Sequence, residues 1–317
     1  MKIQLTQPRL LFKPSGNLEW QQEFAQIPFG YVLDNKLKIV FASRQARDAN
    51  GNYKSFPAQA LFDLENYSLL SVTPSPLMHV GKPGSFDEFG VMPGSIIKIP
   101  SGEVVMYYCG WSRSVNTPYR WSIGVAYLGD DGVFHRRYTG PVIGQSIEHP
   151  YLTASPVVSY SAYSGYEMFH LTGISWDLID NNYEACYKIT RSHSVDGISW
   201  NSAEFSMPNV FWEKECQTSP NIIEISEKRF MTFCYRSQNR FREDVNQNYK
   251  TALAAEITPN NWTIIQTSIS VVENNSERFD IAYLHTFEYS GNFYGLYNYS
   301  MGFGKSGIYL ANLEILP

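Results

Sequence analysis

The sequence is short of charge and has no large excess of either sign. Of its 317 residues only 17% are Asp, Glu, Lys or Arg, against about a quarter in an ordinary globular domain. The 25 Lys and Arg face 30 Asp and Glu, a formal net charge of -5. That balance offers no basic footprint for a phosphate backbone, which argues against nucleic-acid binding. No apolar run approaches the roughly 18 residues a bilayer-spanning helix needs, so no membrane span is expected. The segment Met1 to Phe12 alternates like a strand and lacks the apolar core of a secretory leader, so a cytoplasmic protein is expected. Cys109, Cys186, Cys216 and Cys234 are widely spaced, with no Cys-x-x-Cys pair and no histidine cluster beside them. This speaks against both a metal site and a disulfide framework; buried reduced thiols and no cofactor are expected. Long apolar patterns of period 3.6 are missing too, which argues against helices of any size.

Aromatic residues are abundant, at 15% of the chain, and they recur in a pattern. Five stretches read as strands rich in aromatics or β-branched residues: Leu37 to Arg44, Glu103 to Trp111, Glu167 to Gly173, Arg229 to Arg236 and Asn292 to Ser300. Upstream of the first four, a proline opens another apolar strand at Pro28, Pro93, Pro156 and Pro220, and Tyr283 takes that place in the fifth. The interval is about 64 residues, so five such units fill the chain. Third strands follow, as at Ser122 to Tyr127 and Tyr183 to Ile189. Asp-Gly turns at Asp131-Gly132 and Asp196-Gly197 then lead to a fourth. Four strands per unit, repeated radially, predict an all-β five-bladed β-propeller of about 64 residues per blade. The last unit stops after three strands near Leu313, and residues 2–12 carry a fourth-strand pattern. The N-terminal strand is therefore expected to complete the last blade and make residues 1–317 a single domain.

In such a blade the start of the inner strand, the end of the second and the start of the third meet at one mouth, where five blades leave a pocket suited to a sugar. Just before or at the inner strands lie Glu23, Asp87 with Glu88, Glu148, Glu215 and Asp280; the second strands end near Trp111 and Arg113, Trp176, Tyr235 and Arg236, with Arg240 beyond. Two carboxyl groups across a glycosidic bond divide the work of protonating the leaving oxygen and attacking carbon or activating water. Indoles stack on pyranose faces, and arginines clamp anionic groups. The expected catalytic set is Asp87, Glu215, Asp280 and Glu148. The expected substrate-binding set is Glu88, Trp111, Arg113, Trp176, Tyr235, Arg236, Arg240, His285 and Glu23. His149 and His170 have no ligand spacing, and His170 sits inside a strand as a core residue. Ser194-x-Asp196-Gly197-x-Ser199-Trp200 is similar to the Asp-box of sialidase propellers but one residue short, and reads as a structural hairpin.

Taken together, Phe86-Asp-x-x-Gly90-Val-Met-Pro93-Gly-Ser95, Met106-Tyr-Tyr-x-Gly110-Trp111, Glu215-Cys216 before Pro220, and Tyr297-x-Tyr299-x-x-Gly302-Phe-Gly304-x-x-Gly307 resemble the five-bladed propellers of glycoside hydrolase families 43 and 32. The chain looks more like the predicted glycosyl hydrolase-like proteins of bacterial surface-polysaccharide gene clusters. The resemblance implies a sugar or oligosaccharide substrate, with Asp87 as base or nucleophile, Glu215 as general acid, and Asp280 or Glu148 as the tuning carboxylate. The first blade departs from those families in having Ala25-Gln-Ile-Pro28 where they place an aspartate. A propeller that binds sugar without cleaving it, and a phosphorylase or transferase with arginines on phosphate, are the alternatives.

Overall fold

The computed structural model describes residues 1–49, 51–239, 241, 244–258, 260–273, 277–300 and 307–316. Among them the only helical element is a single 3-10 turn, Val245–Gln247. The strands begin with β1 (Lys2–Phe12) and then follow one another as antiparallel meanders. The first meander is β2 (Glu23–Leu33), β3 (Lys36–Arg44), β4 (Ser55–Asp63) and β5 (Leu69–Val72); the second is β6 (Gly90–Lys98), β7 (Val104–Ser112), β8 (Arg120–Leu128) and β9 (Phe134–His135). The third is β10 (Thr153–Ser161), β11 (Gly165–Ile179), β12 (Asn182–Ser194) and β13 (Asn201–Ala203); the fourth is β14 (Glu215–Ile225), β15 (Lys228–Ser237), β16 (Lys250–Thr258) and β17 (Asn261–Glu273). The fifth, β18 (Glu277–Tyr289), β19 (Asn292–Tyr299) and β20 (Ile308–Leu316), has β1 antiparallel to β20. Short ladders also join neighbouring meanders, at Ser55 and Gly90 and between Ser270 and Asp280. The fold is the all-β propeller that the repeats predict.

The apolar runs follow from position. Second strands are covered on both faces, and β7 and β15 are buried along nearly their whole length. The outer strand β1 alternates buried and open positions, as a half-covered strand does. Core packing lies between meanders, for example Val105, Tyr107 and Ile123 of the second against Val158, Tyr166 and Met168 of the third. The polar hairpin behaves as a turn device. Asp196 Oδ1 accepts the Ile198 and Ser199 amides, both at 2.8 Å, while Gly197 adopts φ 75° and its carbonyl accepts the Tyr107 hydroxyl at 2.9 Å.

Every inner strand carries a β-bulge at its start, with register breaks between Gln26 and Phe29, Pro93 and Ile96, Ala154 and Val157, Thr218 and Asn221, and Ala282 and His285. The first extra residue is left-handed in four of them: Ile27 (φ 56°), Ser155 (φ 53°), Ser219 (φ 51°) and Tyr283 (φ 57°). In the second meander that place belongs to Gly94, so Pro93 stands ahead of the bulge rather than inside it. A Cβ on Gly94 would lie 2.6 Å from the Pro156 carbonyl oxygen, so only glycine lets these two inner strands approach so closely. A β-branched residue at positive φ is strained, and Ile27 is held there from outside. Its amide donates to Asn298 Oδ1 at 3.2 Å, and Asn298 Nδ2 donates to the carbonyls of Ala25 (2.7 Å) and Gly307 (2.8 Å).

Candidate functional site

The five bulges enclose one cavity of about 170 Å³, to which Gln26–Phe29, Met92–Gly94, Ala154–Val157, Thr218–Asn221 and Tyr283–His285 all contribute. A bulge re-aims the residues beside it, and here five of them point residues far apart in sequence at one space. A second cavity of about 420 Å³ shares Gln26, Arg44, Met92, Trp121, Tyr249 and Tyr283 with the first. It opens where the second strands end: Arg44 closes β3, Trp111 lies at the end of β7 and Arg236 at the end of β15. A shallower depression continues outward through Arg47, Tyr53, Trp111 and Tyr119 to Arg113.

The wall chemistry is one-sided. Arg44, Arg47 and Arg236 line the larger cavity, and no Asp or Glu does so among the described residues. Arg236 is buried, at 2% exposure. Its guanidinium carbon lies 3.5 Å from the Phe241 ring centre, its Nε donates to the Tyr187 hydroxyl at 3.2 Å and its Nη1 to the Ser237 carbonyl at 2.8 Å. The Tyr187 and Tyr249 hydroxyls are bonded to each other. Burial pulls the Arg236 pKa down, but Tyr187, Cys216 and Tyr249 outweigh it and hold the group charged. Burial likewise raises the Tyr187, Tyr249 and Tyr283 pKa values, so these phenols stay neutral. Arg44 sits 4.5 Å from the Phe24 ring centre and 4.3 Å from that of Tyr53. Tyr119 and Trp121 stack at 4.4 Å, which leaves an aromatic wall facing the arginines.

The carboxylates predicted to meet at this mouth do not line either cavity. Asp87 is 1% exposed and is held by Ser85 Oγ (2.9 Å), the Tyr108 hydroxyl (2.9 Å) and Arg136 Nε (2.7 Å). Glu215 is fully buried and accepts the amides of Val210 (3.0 Å), Phe211 (2.9 Å) and Trp212 (3.3 Å), plus Gln217 Nε2 (3.0 Å). The partners of the two acids do not overlap, and none of them lines either cavity. Glu88 accepts the Gly84 amide at 2.7 Å, and Glu148, exposed, accepts Ser202 Oγ at 2.6 Å in an outer depression. Asp280 is half-open, 3.9 Å from Lys250 Nζ, and Glu23 is half-buried, opposite Arg44 in the β2–β3 ladder with its carbonyl accepting Ser43 Oγ. For Asp87, Glu88, Glu148 and Glu215 the physical reason is common. Loops entering the inner strands carry unpaired amides and hydroxyls, and an acid there is consumed in satisfying them.

The substrate-binding set divides. Trp111 and Arg236 line the larger cavity, His285 the smaller, and Arg113 the outer depression. His285 Nε2 lies 2.9 Å from the Gly30 carbonyl, and burial lowers its pKa to about 4, so it is a neutral donor. Tyr235 turns away, donating to the Thr267 carbonyl at 2.7 Å beneath Trp212. Trp176 lines neither cavity and packs behind the wall, edge-on to Tyr119 at 5.1 Å. Arg240 lies outside the described residues, as do Gly302 and Gly304. His170 is core, at 2.9 Å from Ser192 Oγ. All four cysteines are buried and free, and no cluster of three or more His, Cys, Asp or Glu suited to a metal occurs among the described residues. No helix there is long and apolar enough to cross a membrane.

Sequence reasoning missed Arg44, Tyr249, Tyr119 and Trp121. The signal was present: Arg44 ends the first second-strand copy as Arg236 ends the fourth, and Tyr249 and Trp121 stand at third-strand starts.

No protein-family model matches the chain. Over 310 residues it is 25% identical to the Mycobacterium tuberculosis protein called Uncharacterized protein Rv1502, covering 96% of this chain and 97% of that one. Among solved structures it is similar to a protein called Glycoside hydrolase, with TM-score 0.69, 13% identity and coverage of 97% and 91% of the two chains. It is also similar to a structure from work on the GH130 family of mannoside phosphorylases and its glycoside hydrolases acting on β-1,2 mannosidic linkages in Candida mannan. That match has TM-score 0.66, 11% identity, and coverage of 95% and 91%. The chain thus has the propeller fold of glycoside hydrolases.

Proposed function

We propose that this is a carbohydrate-active protein, a single five-bladed propeller closed by β1, that takes its sugar into the joined central cavities. The observation that carries this reading is the gathering of five bulged inner strands, three arginines and the Tyr119–Trp121 stack about one space, on a fold shared with sugar-processing proteins. Fold alone does not assign chemistry. With Asp87 and Glu215 bound internally, the wall supports recognition of a sugar without a carboxylate pair at the bond. The arginines favour a second reading, cleavage or transfer at a phosphorylated sugar, for which phosphate-dependent turnover is the mark. Buried free thiols support a cytoplasmic setting, and the resemblance to propellers of surface-polysaccharide gene clusters supports sugars of that metabolism.

Calorimetric titration with a panel of mono- and oligosaccharides, run beside product analysis with and without phosphate, tests the proposal. Saturable binding weakened at least tenfold by Trp121→Ala, but kept by folded Asp87→Asn and Glu215→Gln, is the expected result. Hydrolysis that disappears in those two variants while their folding is intact would overturn it.

A further inference from the structure

Arg236 is a buried cation with no carboxylate partner among the described residues. It is 2% exposed, and among the described residues it meets the rings of Phe241, Tyr187 and Tyr249, the Tyr187 and Tyr249 hydroxyls and the Ser237 carbonyl. None of these carries a negative charge while the phenols are protonated. Cys216, outside the cavity, lies within its electrostatic reach: burial raises the thiol's pKa, but the Cys186 hydrogen bond and the Arg236 charge bring it down to about 7, so near neutrality it offers Arg236 only part of a compensating charge. A guanidinium has five N–H donors, and the contacts above use only part of them. Removing such a group from water costs several kcal/mol unless a charge or a full set of bonds compensates.

The same cavity holds two more guanidinium groups. Arg44 is half-buried over Phe24 and Tyr53, and Arg47 is exposed, with Nη1 on the Gly51 carbonyl at 2.7 Å. Neither forms an ion pair among the described residues. Buried and half-buried carboxylates elsewhere in the described structure draw arginines of their own, as Asp87 does Arg136, Glu167 does Arg191 and Glu256 does Arg229, whereas Arg9 and Arg113 rest on rings with no ion pair among the described residues. Among the described residues three positive and no negative side chains line this cavity, in a molecule whose net charge is -5. Local sign therefore opposes global sign, and low-dielectric walls focus the field inward.

We infer that the ligand of the central cavity carries an anionic group, a carboxylate or a phosphate, seated on Arg236 and Arg44, with its sugar ring against the Tyr119–Trp121 wall. This inference rests on the sugar-binding reading above and deepens it. Guanidinium forks match both oxyanions, and a charge-assisted bond is about twice as strong as a neutral one. The seat therefore discriminates between an acidic sugar and its neutral counterpart by at least about tenfold.

The test is calorimetric titration of the full chain with glucuronate, glucose 1-phosphate, glucose and inorganic phosphate, in low and moderate salt. It is repeated with Arg44→Gln, Arg236→Gln and, as a remote control, Arg137→Gln. One or both acidic sugars should bind at least tenfold tighter than glucose, lose that margin in Arg44→Gln, weaken with salt, and be unaffected by Arg137→Gln. Glucuronate against glucose 1-phosphate tells carboxylate from phosphate. Should Arg236→Gln not fold, Arg44→Gln at the cavity wall still decides the matter. Glucose binding as tightly as its acidic relatives, unchanged in Arg44→Gln, would overturn the anionic seat and leave the sugar reading standing. Inorganic phosphate binding as tightly as glucose 1-phosphate would overturn the sugar reading and with it this inference. No binding by any of the four overturns both.

Discussion

The Tyr108 hydroxyl lies 2.9 Å from Asp87 Oδ2, on the same oxygen that takes Arg136 Nε at 2.7 Å. Burial and the Asp87 charge hold the phenol protonated, as a donor. The carboxylate is thereby a cross-link between the entry to β6, the middle of β7 and the segment after β9.

Asp87→Asn removes the charge from a pair whose acid is 1% exposed and whose arginine is 23% exposed. Breaking one side of a buried pair costs about 3–5 kcal/mol, and the part-open arginine places this one nearer 3. Urea denaturation should show that loss, and Asp87→Asn with Arg136→Met should cost less than the sum of the single changes. Sugar binding by the folded fraction should be intact.

Glu215→Gln puts an N–H₂ group where Val210, Phe211 and Trp212 present amides. Donor then faces donor, at about 1–3 kcal/mol for each amide left unmatched. Faster hydrogen exchange confined to residues 210–212, at unchanged cavity affinity, is the expected signature.

His285 and His170 have folded pKa values lowered by burial to about 4 and about 3, from an ordinary 6.5. Both are neutral in the folded protein at pH values where the unfolded chain takes up protons. Their contribution is whole above pH 6.5 and lost as pH falls through the window toward 4 for His285 and on toward 3 for His170. Over two pH units each accounts for about 2 kcal/mol. Denaturation series from pH 7.5 to 4.5 should show falling stability, with a smaller slope in His170→Asn; a flat profile would refute the assignment.

Asn298→Ala leaves the Ile27 amide and the Ala25 and Gly307 carbonyls without their partner. A cost of about 2 kcal/mol is expected from buried polar groups left unsatisfied. Because Ile27 lines the smaller cavity, sugar affinity should fall as well, which separates this variant from Glu215→Gln.

Much of this architecture was open to a reader of the sequence. The second-strand copies ending at Arg44, Trp111 and Arg236 repeat at an interval set by the meander, and their ends do converge. His170 in a strand and the Asp196 turn were legible for the same local reasons. The acids were misleading, since Glu215 before Pro220 has the same local setting whether its oxygens face a sugar or the amides of Val210 and Phe211. Likewise, nothing near Tyr235 shows that its hydroxyl reaches the Thr267 carbonyl.

Periodic strands, Asp-Gly turns and the terminal strand pattern depend on local chemistry, and the sequence alone determined them, together with which strand ends share a face of the ring. Tertiary structure decided which side chains face the cavity. Side chains alternate along a strand, so one extra residue in a bulge reverses the facing of everything after it. A carboxylate beside such a bulge bonds whichever donor the neighbouring loop brings within reach. For Asp87 that donor is Tyr108 and for Glu215 the amides of residues 210–212, while Arg44 and Arg236 are left facing the open space.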